Sequence, residues 1–275
     1  MWGHQAHSSG SGLSYRRAGK GPAVLLLHGI PGASQSWESV AAAIPATLDV
    51  IVPDLLGFGG SDRPTEFEAL QATGQAAAID ALLTELAVSR ATLVGHDFGG
   101  PVALALVRRR ASLVGALGLL ATNVFPDTPI PFPLSAILWP GVGGLARRAL
   151  LSGPSLRMML KQGVGPGVAP PDASTHLGDR DQQQAIAKIF AGSLLHLDEI
   201  YRPIEQQLRS IAVPVFVGWG DHDPFFPTAQ GERTARAVGA ELRLYPGAGH
   251  FLPHERSDEI AADILDLVTA STLAS

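Results

Sequence analysis

Ala23-Val24-Leu25-Leu26-Leu27 is apolar at every position and runs straight into His28-Gly29-Ile30-Pro31-Gly32. A strand with one wet face would alternate polar and apolar residues. A short run without alternation points to a strand covered on both faces, as in a parallel sheet between layers of helices. Further strands are read at 49–53, 91–95, 113–121, 214–218 and 241–245, apolar throughout or nearly so except at 241–245. Between and after them, 34–44, 66–88, 99–110, 228–238 and 255–269 read as helices. This order predicts an α/β chain built on a doubly wound, mostly parallel sheet.

The rhythm breaks after residue 123. Pro126, Pro129, Pro131, Pro133 and Pro140 open a different stretch, and Gly163, Gly165, Pro166, Gly167, Pro170 and Pro171 divide it. Helical spans at 145–162 and 182–208 lie on either side of that division. The strand–helix order then resumes. Residues 124–208 are therefore expected to be an insertion into one core made of 13–123 and 209–275, and residues 1–12 a flexible tail.

Composition narrows the functional classes. With 275 residues the chain can bury a sizeable core, and its net charge of −5 lacks the basic excess of a nucleic-acid binder. Zero cysteine excludes a disulfide frame, a thiolate metal site and a cysteine nucleophile. No metal or cofactor is expected. The first residues carry no basic cluster followed by an apolar stretch, and no apolar run approaches the ~20 residues of a spanning helix. A cytoplasmic protein with neither nucleic acid nor membrane as partner is the expectation.

Three loops carry chemistry, each after a strand. Gly95-His96-Asp97-Phe98-Gly99 has the frame of G-x-S-x-G, the tight strand-to-helix turn that lifts a nucleophile above the sheet, with aspartate in the serine position. His28-Gly29-Ile30-Pro31 lies where the backbone N–H groups of Ile30 and Phe98 could converge on a developing oxyanion. Asp221-His222-Asp223 and Gly249-His250-Phe251 supply an acid and a histidine, in the chain order nucleophile, acid, histidine. Either Asp221 or Asp223 could be that acid. His28, His96, Asp54 and Asp62 read as groups that stabilise their own turns.

The segments 28–32, 54–62, 95–100, 220–227 and 247–253 together resemble the α/β-hydrolase fold family, in its branch with an aspartate nucleophile, which includes epoxide hydrolases and haloalkane dehalogenases. The resemblance covers nearly the whole chain and implies that 124–208 is a helical cap inserted after the sixth strand. It implies Asp97 as nucleophile, His250 as general base, and Asp223 rather than Asp221 as the acid. Some dehalogenases carry that acid after the strand before the cap, where this chain has Asn123. A carboxylate attacking saturated carbon forms an alkyl ester, which a histidine-activated water then hydrolyses.

The leaving group is less constrained. Epoxide hydrolases usually supply two cap tyrosines as proton donors; here only Tyr201 lies in the cap, with His176, His196 or Trp139 as stand-ins for the second. Haloalkane dehalogenases clamp halide with side-chain N–H groups, at places that here hold Phe98 and Ile30. Fluoroacetate dehalogenases place arginine just after the nucleophile, which this chain lacks. Epoxide hydrolysis of a small apolar substrate, with water as co-substrate, is the favoured expectation. Haloalkane or haloacid dehalogenation is the alternative, and a non-hydrolytic protein of the same fold, a receptor or a ring-rearranging biosynthetic enzyme, is a third. A homodimer is compatible with the chain.

Overall fold

The computed structural model describes residues 6–130, 132–172 and 180–273. Eight strands form one sheet: β1 (His7–Ser8), β2 (Ser14–Ala18), β3 (Ala23–Leu27), β4 (Asp49–Pro53), β5 (Ala91–His96), β6 (Val114–Leu120), β7 (Val215–Gly220) and β8 (Leu242–Tyr245). Their spatial order is β1-β2-β4-β3-β5-β6-β7-β8; β1 and β2 are antiparallel, and β3 to β8 are parallel. Among the described residues the longer helices are α1 (Glu38–Ala43), α2 (Ala72–Glu85), α3 (Gly99–Arg109), α4 (Gly143–Leu150), α5 (Gly153–Gln162), α6 (Arg180–Leu195), α7 (Leu197–Leu208), α8 (Thr228–Val238) and α9 (Ser257–Leu273).

The unbroken apolar runs have the expected physical cause. In β3, Leu25 and Leu27 join a core with α2 and α3, while Val24 and Leu26 join a second core with α1 and α9 on the opposite face. Every residue of β3, β4, β5 and β6 is buried. This is the α/β-hydrolase fold, a doubly wound, mostly parallel sheet between helical layers.

Several boundaries differ from the expectation. Residues 6–12 are not a free tail: β1 pairs with β2 through His7–Tyr15 and Ser8–Ser14, and the Gly10 N–H bonds the Glu85 carboxylate at 2.9 Å. The helix read at 66–88 breaks at Gln71, which is extended (ψ 163°). There the Gln75 side chain bonds both the N–H and the C=O of Leu56, anchoring α2 to the loop after β4. The helical stretches of the inserted segment also split in two. Pro154 starts a new helix after Ser152, and His196, outside helical geometry, separates α6 from α7.

The described part of the segment between β6 and β7 is largely helical, and some of its residues line one cleft with Asp97 and His250. It is tied to the core by the Gln207 amide, which donates to the Leu104 carbonyl at 2.7 Å, and by the Lys188 amine on the Thr65 carbonyl. No helix among the described residues is long and apolar enough to cross a membrane.

Candidate active site

Asp97 occupies the turn between β5 and α3 with φ +51°, in the left-handed region that aspartate tolerates better than bulkier residues. The turn is held by Asp97 N–H on Leu120 O (3.1 Å), by Gly100 N–H on Asp97 O (3.1 Å), and by the Thr122 hydroxyl on Asp97 O (2.6 Å). Its flanking glycines are forced by space. A Cβ on Gly95 would lie 2.3 Å from Gly99 O, and one on Gly99 would lie 2.2 Å from Leu27 O. The glycine of the His-Gly-Ile-Pro loop is forced too, since a Cβ on Gly29 would sit 2.4 Å from the Asp97 Cβ.

The carboxylate is bonded at both ends. Asp97 Oδ1 accepts the Ile30 N–H at 2.7 Å, and Oδ2 lies 3.6 Å from His250 Nε2. Of the two expected oxyanion donors, Ile30 is engaged in this resting arrangement and the Phe98 N–H is not bonded to Asp97. Phe98 borders the same cleft from the first position before α3.

His250 is almost wholly buried. Its Nδ1 lies 2.9 Å from Asp223 Oδ2, and Asp223 has no exposed side-chain surface. Asp223 Oδ1 accepts the N–H groups of Phe225 (2.8 Å) and Phe226 (3.0 Å), which fixes the carboxylate's orientation. Asp221 turns away, bonding His222 and the Gly247 N–H. Thus the fold brings Asp97, His250 and Asp223 into one line and leaves Asp221 outside it.

Opposing charges set the protonation of this line. Burial acts against the His250 cation, but Asp223 and Asp97 outweigh it and push the imidazole up to about 10. Burial also acts against the Asp97 anion, yet the hydrogen bond and charge of His250 hold its carboxyl below the usual range. The resting site is therefore an ionised Asp97 beside an imidazolium. His96, buried against that imidazolium, is pushed down to about 4 and stays neutral; its Nε2 bonds His250 O at 2.8 Å. His28 is similarly internal, with Nε2 accepting the Leu55 N–H and Nδ1 on Gly29 O. Asp54 ties two loops by accepting the Ser34 and Gly60 N–H groups.

Asp97 and His250 open on a mainly apolar cleft of about 910 Å³, its mouth included, lined also by Met159, Leu134, Phe190, Leu194, Leu197, Phe225 and Phe226. Tyr201, on α7, faces this cleft. Burial and the negative charge of Asp97 raise its pKa, and a hydrogen bond with the Asn123 side chain pulls the other way. The orientation of Asn123 is settled by its neighbours. Its Oδ1 accepts the Phe125 N–H (3.1 Å) and the Thr128 hydroxyl, and its Nδ2 donates to Phe125 O (3.1 Å). Gln230 in turn donates to the Thr128 oxygen at 2.6 Å. The oxygen of Asn123 is occupied, so what it offers Tyr201 is its second N–H.

Two of the other suggested proton donors do not reach the site. His196 is half exposed on Glu199, and Trp139 is 52% exposed outside the cleft lining. His176 lies outside the described residues. Glu255 and Gly163 were not legible as site residues. The Glu255 carboxylate accepts the N–H groups of Gly165, Gly249 and Phe251, and Gly163 O accepts the His250 N–H at 2.7 Å. Together they clamp the histidine loop to the inserted segment. Glu255 sits five residues after His250, a spacing that carries no signal until the loop is folded. Among the described residues no cluster of His, Asp and Glu could hold a metal ion.

The fold and this line of residues define a hydrolase. The chain belongs to the alpha/beta hydrolase fold family, whose model matches residues 22–257. It is 31% identical over 258 residues to an uncharacterized protein of Mycobacterium tuberculosis, covering 88% of this chain and 74% of that one. Epoxide hydrolase A of the same organism is 27% identical over 307 residues, covering 92% of both chains. Among solved structures, haloalkane dehalogenase DbeA from Bradyrhizobium elkani superposes with a TM-score of 0.81 over 98% of this chain and 99% of that one. Its sequence identity is 21%, so that likeness concerns the fold.

Proposed function

We propose that the chain is an epoxide hydrolase that works through an ester on Asp97, with the inserted segment acting as a cap over an apolar substrate. The observation that carries this reading is a partly buried carboxylate, bonded by the Ile30 N–H and close to His250 Nε2, and a tyrosine lining the same apolar cleft. Asp97 Oδ2 attacks an epoxide carbon, the C–O bond breaks, and the alkoxide takes the proton of Tyr201. Tyr201 recovers a proton from solvent between turnovers.

Ester formation removes the negative charge of Asp97. His250 then has only Asp223 to hold its proton, so its affinity for that proton falls, the Nε2 proton passes to solvent, and the neutral ring becomes available as a base. It takes a proton from water through Nε2. The hydroxide adds to the ester carbonyl carbon, and the oxyanion forms at Oδ1 on the Ile30 N–H, with Phe98 as second donor. Collapse releases the diol and restores the Asp97 carboxylate. Asp223 holds the ring in place and stabilises the imidazolium.

Relatives named as epoxide hydrolases support this chemistry, and among the described residues the cleft lacks the side-chain N–H pair expected of a halide clamp. Intact-mass analysis of His250→Gln after incubation with an epoxide and haloalkane panel tests the reading. One covalent adduct per chain on Asp97 from epoxides, and none in Asp97→Asn, is the expected result. Labelling by haloalkanes alone would assign a dehalogenase. No adduct from either class would overturn the nucleophile and leave a non-hydrolytic role.

A further inference from the structure

Residues 128–171 contain no Asp or Glu and four cations, Arg147, Arg148, Arg157 and Lys161. The net charge of −5 thus divides into +4 on this stretch and −9 on the rest of the chain. All four cations are exposed, and among the described residues none has an ion-pair partner. Such a separation of charge orients a protein in the field of an anionic surface.

The same stretch exposes large apolar side chains, the opposite of what folding alone would leave. Phe132 is 75%, Leu145 74% and Trp139 52% exposed, with Leu138 and Val142 also open to solvent. The rings of Phe132 and Trp139 lie 6.4 Å apart, and the turn Leu134–Leu138 packs on α4. On α4, Leu145 and Arg148 are three residues apart and share a face; on α5, Met158 and Lys161 do the same. Apolar groups with cations beside them, an indole among them, are the pattern of a face that sits at a lipid headgroup boundary.

We propose that the face formed by Phe132, Leu138, Trp139, Val142 and Leu145, with Arg148 beside it and Arg147 exposed on the same short helix, docks on an anionic lipid surface. This is a surface contact and not a span, and it replaces the expectation of no membrane partner. Charge selects the partner, because a face carrying only cations repels another basic surface and needs anions opposite. The contact adjoins the catalytic cleft: Leu134 lines the cleft while Leu138 and Trp139, at the other end of the same turn, face outward. An apolar substrate dissolved in lipid would meet the cleft beside the docked face. The docking does not depend on the chemistry at Asp97.

Cosedimentation of the full chain with vesicles tests it, using pure phosphatidylcholine and phosphatidylcholine with about one third phosphatidylglycerol. Binding to the anionic vesicles alone, weakening with added salt, is expected, together with a blue shift of emission that is absent in Trp139→Phe. Arg147→Gln/Arg148→Gln should bind about thirty-fold more weakly, the effect of removing two cations near an anionic surface. The same variant should keep its melting temperature and its turnover of a water-soluble substrate. Equal binding to neutral vesicles, no binding to either, or undiminished binding by the double variant would overturn the proposal. So would concentration-dependent self-association that buries Trp139 without vesicles, which would assign the face to a second copy.

Discussion

Asp223→Asn separates the two halves of the proposed reaction. Asp223 Oδ1 is held by the N–H groups of Phe225 and Phe226, so in the variant the amide oxygen keeps that place. The amide nitrogen, with two hydrogens, then faces His250 Nδ1 at the 2.9 Å now spanned by the native hydrogen bond. Two donors cannot face each other. The imidazole must leave Nδ1 bare and carry its proton on Nε2, the atom 3.6 Å from Asp97 Oδ2. Attack by Asp97 needs only an ionised carboxylate, and that proton still stabilises it, so alkylation should stay within about ten-fold of the native rate. Hydrolysis needs an unprotonated Nε2. Locking the wrong tautomer in a Ser-His-Asp triad costs about 10⁴-fold, or about 5.4 kcal/mol of barrier. Mixed with excess styrene oxide, the variant should consume about one equivalent and stall as a stable adduct in a quenched-flow and intact-mass assay. Steady turnover within ten-fold of the native enzyme would refute the tautomer argument, and lost turnover with no adduct would refute the division into two steps.

Two further expectations follow from the same geometry. Tyr201→Phe should lower epoxide turnover by about 10²–10⁴-fold, the usual worth of a positioned acid, and Asn123→Leu by less. Because Asn123 acts through Tyr201, the double variant should match Tyr201→Phe alone; additive losses would sink that coupling. The second concerns stability against pH. His250, at about 10 when folded against an unfolded value of ~6.5, adds stability that is complete below ~6.5 and lost as pH rises through about 10. His96, at about 4, adds stability present above ~6.5 and lost as pH falls toward 4. Melting temperature should therefore peak near neutral to slightly acid pH. His96→Asn should flatten the acid limb and His250→Gln the alkaline one, and a profile with unchanged limbs in both variants would contradict the assigned protonation states.

Much of the site was readable because it is local in the chain. The elbow at Asp97 is five consecutive residues whose small flanks are dictated by backbone contacts. A strand end followed by a loop delivers Ile30, Asp223 and His250 to the same edge of a parallel sheet whatever the details of packing. What could not be read were contacts between distant segments. The choice between Asp221 and Asp223 depends on which carboxylate the Phe225 and Phe226 N–H groups turn toward His250. Gly163 and Glu255 act on the histidine loop only because the inserted segment lies across it.

Short apolar runs and glycine-framed turns determine the parallel sheet and the turn that carries Asp97, since steric limits on the backbone act between neighbours in sequence. The tertiary structure alone decides the charges. The ionised Asp97, the imidazolium of His250 and the raised proton affinity of Tyr201 each arise from groups far apart in the chain and close in one cleft. There, low polarity makes a few ångströms worth more than any feature of the sequence around them.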